Sequence, residues 1–342
     1  DIMMITNRHM LIGCSERTSP YAIQKLVHRL FWSNINTSHP NGIDYVSVIK
    51  IGEKRSQMHI DTVFSQIRED VWTVHSPLSE HWQANMSKKD WHSRDYNNDL
   101  QQKSATQIEK EKDLNIFQFY LNDEGKELKK KYAQGNLSHD ELDEIKVKFK
   151  NLDFLLRADE NGKYKSDSSN IYTNKPKGLC DFLSDISSLE FGSKKEDVKF
   201  VLSGRGLTPF DSREQLTDAC NLLTLRPGVS VGYDRNHKTA LHFNEIIEKD
   251  EVSQYPGFEE YLIKKNIDRF GDNKKIDGTE MNLNHLIHVN DLYRFIAENN
   301  LTFEQTIELR DSIKNTLLLI PSNELSRARG GSHCMTMPIM RG

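Results

Sequence analysis

Cys334 follows a segment near the C-terminal end that contains two arginines and a pair of glycines. A cysteine attacks only as the thiolate, and neighbouring cations lower the thiol pKa from about 8.5 toward neutrality. Arg327, Arg329 and His333 would supply such cations. The sequence therefore predicts that Cys334 is a nucleophile in a basic loop. In an extended segment His333 would point away from Cys334, so His333 is not the predicted base.

His59 and Asp61 lie far upstream, in a segment (58–64) that favours a β-strand. Alternate residues of a strand share a face, so both side chains would point to one side while Ile60 packs on the other. A histidine can transfer protons and a carboxylate can hold a cation. The pair therefore suits a site that contains a nucleophilic cysteine.

The other three cysteines, Cys14, Cys180 and Cys220, lie in apolar or helical surroundings. Buried cysteines usually behave as small, inert hydrophobic residues, and we predict this role for all three. The sequence contains no CxxC pair, no HExxH motif and no glycine-rich phosphate loop. Without these motifs the sequence gives little support to a metal or nucleotide site, and no cofactor is expected.

Three separated segments, 11–19, 58–64 and 326–338, resemble arginine deiminases of the guanidine-modifying superfamily. A fourth segment, 213–236, resembles them more weakly, and all four follow the family's order. The resemblance implies a pentein-type α/β propeller built of ββαβ modules. Asp1 fits the last position of the family's Glu-Gly-Gly-Asp motif. The chain is therefore expected to be N-terminally truncated, with an incomplete ring and with the family's catalytic glutamate and early aspartate upstream.

The resemblance also implies a reaction, the hydrolysis of L-arginine to L-citrulline and ammonia without a metal. Cys334 would attack the guanidinium carbon and carry a covalent amidino group. His59 would protonate the departing ammonia and then deprotonate water. Asp61 would grip the N–H groups of the guanidinium, with Asp1 as a further substrate-binding carboxylate.

Arg17 and Arg329 fall where the family holds the α-carboxylate of the substrate. A planar guanidinium matches a carboxylate better than a lysine does, so both arginines favour an amino-acid substrate over decarboxylated agmatine. Three alternatives stay open: an amidinotransferase, a deiminase of another guanidine compound, and a non-catalytic relative whose insertions bind a partner.

The composition suits a soluble cytoplasmic protein. The 342 residues carry a formal net charge of −4, and the mean hydropathy is −0.67. This charge gives no reason to expect nucleic acid as a partner, and no apolar run is long enough to cross a membrane. Four unpatterned cysteines fit a reducing compartment. Whether the chain forms a homo-oligomer is left open.

The hydrophobic pattern predicts an α/β fold with charged, mainly helical insertions. Strands are expected at 2–6 and 10–14 as a hairpin, then a helix from Ser19 and Pro20, and further strands at 44–51, 59–64, 70–75, 196–202 and 316–320. The predicted divisions are residues 1–77 (catalytic modules), 78–195 (charged helical insertion), 196–247 (catalytic module), 248–314 (helical insertion) and 315–342 (last strand and cysteine loop).

Overall fold

The computed structural model describes the following residues: 1–32, 42–43, 45–51, 58–75, 114–120, 131, 134–136, 138–141, 143, 172–203, 214, 218–271, 279–322 and 331–334. The chain divides into two units. The first comprises Asp1–Ile60 and Asp113–Gly178, and the second comprises Asp61–Lys112 and Leu179–Gly342. None of the helices that are described has the length and the apolar character needed to span a membrane.

The described residues form twelve β-strands, six α-helices and two 3-10 turns. The strands are β1 (Ile2–Met4), β2 (His9–Cys14), β3 (Tyr45–Lys50), β4 (Phe64–Arg68), β5 (Val71–His75), β6 (Leu114–Tyr120), β7 (Tyr172–Lys177), β8 (Lys199–Ser203), β9 (Leu223–Arg226), β10 (Val229–Tyr233), β11 (Leu286–His288) and β12 (Thr316–Ile320). The α-helices are α1 (Pro20–Trp32), α2 (Leu179–Phe191), α3 (His237–Ile247), α4 (Phe258–Phe270), α5 (Val289–Glu298) and α6 (Phe303–Ser312). Short 3-10 turns lie at Ile60–Thr62 and Lys195–Asp197.

The first unit is built on a five-stranded sheet in the order β1-β2-β3-β6-β7. The predicted hairpin is confirmed, because β1 pairs antiparallel with β2. The predicted helix is confirmed as α1, and the Ser19 hydroxyl accepts the N–H of Ala22 at 3.3 Å as an N-terminal cap. Ile23 and Val27 of α1 are buried, and β3 returns parallel to β2. The 15–18 turn follows the C-terminal end of β2, which these contacts hold in place.

The second unit contains a three-stranded sheet, β4-β5-β8, and a four-stranded sheet, β11-β12-β10-β9. Each has an antiparallel pair followed by a helix and a strand parallel to the second member of the pair: β4 and β5 with α2 and β8, and β9 and β10 with α3 and β12. The first unit has the same order in β1, β2, α1 and β3. The mixed α/β class is thus confirmed, with three ββαβ repeats among the described residues.

The prediction of a strand at 59–64 was wrong. Ile60–Thr62 form a 3-10 turn, and β4 begins only at Phe64. The antiparallel ladder between β4 and β5 ends at Val63, whose carbonyl accepts the His75 N–H at 2.7 Å. The residues before Val63 lie beyond that end of the ladder. The face-sharing argument for His59 and Asp61 therefore does not apply.

The range 78–195, predicted as a charged and mainly helical insertion, contains two strands that were not predicted. β6 and β7 fall in this range and extend the sheet of the first unit beyond β3. The charged runs 126–131 and 140–150 lie almost wholly outside the described residues, as does the loop predicted at 204–206. The strand predicted at 196–202 is present as β8, although it begins at Lys199 after the 3-10 turn.

The amphipathic helices predicted within 248–314 are confirmed as α4, α5 and α6. Their apolar sides share one buried cluster with β10 and β11, whose members include Phe258, Leu262, Ile287, Phe295 and Leu309. β11 was not predicted. It pairs parallel with β12, so this stretch adds an edge strand to the four-stranded sheet. The strand predicted at 316–320 is confirmed as β12.

Candidate active site

A short turn at 331–334 holds Cys334 in the second unit. The backbone N–H groups of His333 and Cys334 both donate to Asn221 Oδ1, at 2.9 and 3.1 Å. The Ser332 hydroxyl donates to the carbonyls of Asn221 and Val231, at 2.6 and 2.8 Å. The turn is thereby fastened to the segment before β9 and to β10.

Gly331 is required by the same close packing. A Cβ atom at Gly331 would lie 2.1 Å from Asn221 Oδ1, which is far inside van der Waals contact. No other residue type fits beside Asn221 without a shift of one of the two segments.

The Cys334 sulfur lies between an amide and a carboxylate. Asn221 Nδ2 donates to Cys334 Sγ at 3.1 Å, and the thiol donates to Asp61 Oδ2 at 3.5 Å. Cys334 is the one exposed cysteine among those the structure describes, whereas Cys14, Cys180 and Cys220 are buried. The core location predicted for these three is confirmed.

Asp61 is a buried carboxylate, 8% exposed. Its Oδ2 pairs with His333 Nδ1 at 3.0 Å. Within the described part of the chain, its buried Oδ1 has no hydrogen-bond partner. Burial, the largest single effect, raises the pKa of Asp61, but the hydrogen bond and charge of His333, together with hydrogen bonds from Asn221 and Cys334, hold the pKa below its usual value. Asp61 is therefore an anion with one buried oxygen directed at no protein donor among these residues.

His333 does not point away from the cysteine region, as the extended geometry predicted. The 332–334 segment is a turn, and this turn carries the His333 ring onto Asp61. The prediction was wrong because it assumed a period of two for side-chain direction.

The Cys334 thiol has a raised pKa. Partial burial of the thiol, followed by the negative charge of Asp61, raises its pKa to about 11, although hydrogen bonds from the Gly331 backbone and Asn221 act in the opposite direction. The acidification expected from neighbouring cations stays a prediction. Arg327 and Arg329, the residues on which it rested, lie outside the described residues.

Asp1 and His59 meet in the first unit. His59 Nδ1 lies 3.3 Å from Asp1 Oδ2, and the Asp1 side chain is 3% exposed. Asp1 Oδ1 accepts the N–H of Ile60 at 2.8 Å, and Asp1 Oδ2 also accepts from the hydroxyls of Ser15 and Thr18. Through these contacts the Asp1 carboxylate links the 15–18 turn to the backbone that carries His59.

Arg17 lies in the same 15–18 turn. Its side chain is exposed, and its backbone N–H donates to the Ser15 hydroxyl at 3.1 Å. Arg329 lies outside the described residues. The structure thus brings Cys334 to Asp61 and His59 to Asp1. The sequence analysis did not identify Asn221 as the partner of the cysteine turn. The position of Asn221 within the weakly matching 213–236 segment was the only indication of its role.

The protein-family model for arginine deiminase matches residues 1–123 and 187–341. The chain belongs to the arginine deiminase family. Among curated relatives, the arginine deiminase of Staphylococcus aureus (strain MRSA252) is 26% identical over 237 residues, which cover 69% of this chain and 38% of the relative. The arginine deiminase of Staphylococcus haemolyticus (strain JCSC1435) is 26% identical over 238 residues, with the same two shares, 69% and 38%. The matched region therefore spans well under half the length of these arginine deiminases.

Proposed function

We propose that this chain carries the nucleophile of an arginine deiminase, a hydrolase that converts L-arginine to L-citrulline and ammonia through a covalent amidino-cysteine. One observation carries the proposal: a buried carboxylate, Asp61, lies beside the Cys334 sulfur, and its Oδ1 has no partner among the described residues. Family membership and the names of the relatives support the choice of arginine.

Asp61 is suited to recognise a guanidinium group. A buried anionic oxygen without a donor is costly, and a planar cation with several N–H groups relieves that cost through charge-assisted hydrogen bonds. A guanidinium held there would have its central carbon near the neighbouring sulfur. The same carboxylate would thus bind the substrate and place its electrophilic carbon for attack.

The proposed substrate also activates the thiol. With a pKa of about 11, the Cys334 thiol is protonated at neutral pH. A guanidinium cation would neutralise the charge of Asp61 and place positive charge near the sulfur, and both effects lower the thiol pKa. The thiol would therefore give up its proton to solvent water when the substrate binds, which limits side reactions of the free protein.

The proposed reaction has two halves. The thiolate forms a C–S bond with the guanidinium carbon, and the C–N bond to the departing nitrogen breaks as His59 supplies a proton, which releases ammonia. His59 then takes a proton from water, the water oxygen adds to the same carbon, and the C–S bond breaks. The products are L-citrulline and the regenerated cysteine.

The remaining residues are proposed to hold the reactants. Arg17 and Arg329 would bind the α-carboxylate of arginine. Asp1 is proposed to hold His59 instead of contacting the substrate, because its oxygens are already engaged by Ser15, Thr18, Ile60 and His59. The ββαβ repeats support a pentein-type propeller as the fold of the whole protein.

Incubation of the full-length protein with L-arginine tests the proposal. We expect citrulline and ammonia in equal amounts, and we expect none from Cys334→Ser, because a hydroxyl is a far weaker nucleophile at neutral pH. The covalent intermediate should be trapped by acid quench as an amidino adduct on the Cys334 peptide.

The same assay separates the alternatives. Ornithine together with an amidinated acceptor amine would support an amidinotransferase. Turnover of other guanidines without arginine would support a different deiminase. No turnover and no adduct with any guanidine would contradict an enzymatic role and favour a non-catalytic relative.

A further inference from the structure

Asn221 forms several hydrogen bonds with the cysteine turn, residues 331–334. The residue is 1% exposed and lies just before β9. Its side-chain oxygen accepts from two consecutive backbone N–H groups, and its side-chain nitrogen donates to the Cys334 sulfur. Its backbone carbonyl accepts from the Ser332 hydroxyl. One buried residue thus contacts three consecutive residues of the turn.

The orientation of the Asn221 amide follows from these contacts. Two backbone N–H groups can be accepted only by the amide oxygen, so the NH₂ group must face the other way. That direction is toward the Cys334 sulfur, 3.1 Å from Nδ2. The amide cannot flip without leaving both backbone donors opposite another donor.

We propose that Asn221 is the positioning residue of the nucleophile: its amide oxygen fixes the backbone of the cysteine turn while its NH₂ group donates to the Cys334 sulfur. The inference deepens the proposed function and rests on it for the role of Cys334 in turnover. The contact between Gly331 and Asn221 supports it, since the turn approaches too closely for any side chain at Gly331.

The donor on the sulfur has a definite electrostatic effect. A hydrogen bond to a thiolate stabilises the charged form, and the Asn221 contact accordingly lowers the pKa of Cys334 against the raising effects of burial and of Asp61. Asn221 would thus stabilise the thiolate that attacks, while the two backbone contacts keep the sulfur beside Asp61.

Two variants separate these effects. Asn221→Asp keeps an acceptor for the two backbone N–H groups but replaces the donor with a negative charge. We expect iodoacetamide to alkylate Cys334 at least about tenfold more slowly at one fixed pH, because each unit of pKa increase reduces the thiolate fraction tenfold. Asn221→Ala loses both contacts, and we expect kcat for arginine to fall at least about tenfold with a much smaller change in KM.

Asn266→Ala is the matched control. Asn266 is also fully buried in the second unit, and its amide donates to the carbonyls of Leu283 and Leu286, both at 2.7 Å. Asn266→Ala should lower the Tm, as the Asn221 variants should, without changing alkylation of Cys334. Equal slowing in Asn266→Ala, or an unchanged rate in Asn221→Asp, would overturn the inference.

Alkylation does not depend on arginine turnover, so the two proposals fail separately. A slower reaction in Asn221→Asp with a wild-type protein that makes no citrulline would support the positioning role and contradict the deiminase. If the wild-type protein forms citrulline but the Asn221 variants keep its kcat and its alkylation rate, the deiminase is supported and the positioning role is contradicted.

Discussion

The Cys334 sulfur lies 3.5 Å from Oδ2 of Asp61, a buried carboxylate whose pKa is lowered. An anion at this distance opposes formation of a thiolate, and the pKa of Cys334 is accordingly raised to about 11. A nucleophile and an opposing charge are useful together only if a cation joins them during the reaction. The guanidinium group of the proposed substrate is such a cation.

Asp61→Asn should change two measurements in opposite directions. Removal of the charge and of its hydrogen bond lowers the thiol pKa, so alkylation of Cys334 in the free protein should become faster. Loss of the grip on the guanidinium should reduce kcat/KM for arginine at least about tenfold, since charge-assisted hydrogen bonds are among the strong ones. Stopped labelling reactions and citrulline assays measure the two effects. Slower alkylation would contradict the assigned electrostatics.

The pH dependence of alkylation should show the raised pKa directly. Below the pKa, the thiolate fraction rises tenfold per pH unit, so the labelling rate of Cys334 should keep rising until about pH 11. A plateau near about pH 8.5, the usual thiol value, would contradict the environment described. Cys220 is the internal control, because it is buried and its pKa is raised to about 12, and it should label only on unfolding.

Local features of this fold could be predicted from the sequence, and non-local ones could not. The Ser19 cap, the α1 pattern and the first hairpin depend on neighbours in the chain, and all were correct. β6 was missed because its ladder with β3 joins segments separated by more than sixty residues, and its sequence carries no mark of that partner. The start of β4 was misplaced for a different reason, because residues 60–62 form a 3-10 turn that the apolar pattern does not indicate.

The candidate site shows the same division. The residue types at Cys334, His59 and Asp61 indicated the chemistry, but the directions of their side chains depended on turns. His333 reaches Asp61 because 332–334 is a turn, and no spacing rule for strands or helices predicts that. Asn221 could not be chosen from sequence because one asparagine resembles another until its partners are known.

Arg329→Lys should raise KM for arginine strongly and change the use of agmatine much less. Only arginine offers an α-carboxylate to the planar fork, and a lysine replaces two directed hydrogen bonds with a single point charge. Parallel kinetics with both substrates measure the difference. Arg310→Lys is a suitable control, since Arg310 is an exposed arginine paired with Asp311. Equal losses on the two substrates would remove the carboxylate assignment.

Asp1→Asn should reduce turnover while leaving alkylation of Cys334 unchanged. Asp1 contacts His59 and the backbone N–H of Ile60, so the change loosens the proposed proton carrier, whereas the cysteine turn is held by Asn221. We expect kcat to fall about tenfold or more, as for other groups that orient a catalytic base.

Asp291→Asn is the control for burial in the Asp1 experiment. Its side chain is 3% exposed, as is that of Asp1, and it pairs with Arg269 at 2.6 Å. Both substitutions remove a buried charge and should lower the Tm, but only Asp1→Asn should lower kcat at temperatures well below the Tm. A parallel loss of kcat in both would reduce Asp1 to a contribution to stability. A loss confined to Asp1→Asn, with unchanged labelling of Cys334, would identify Asp1 as the residue that positions His59.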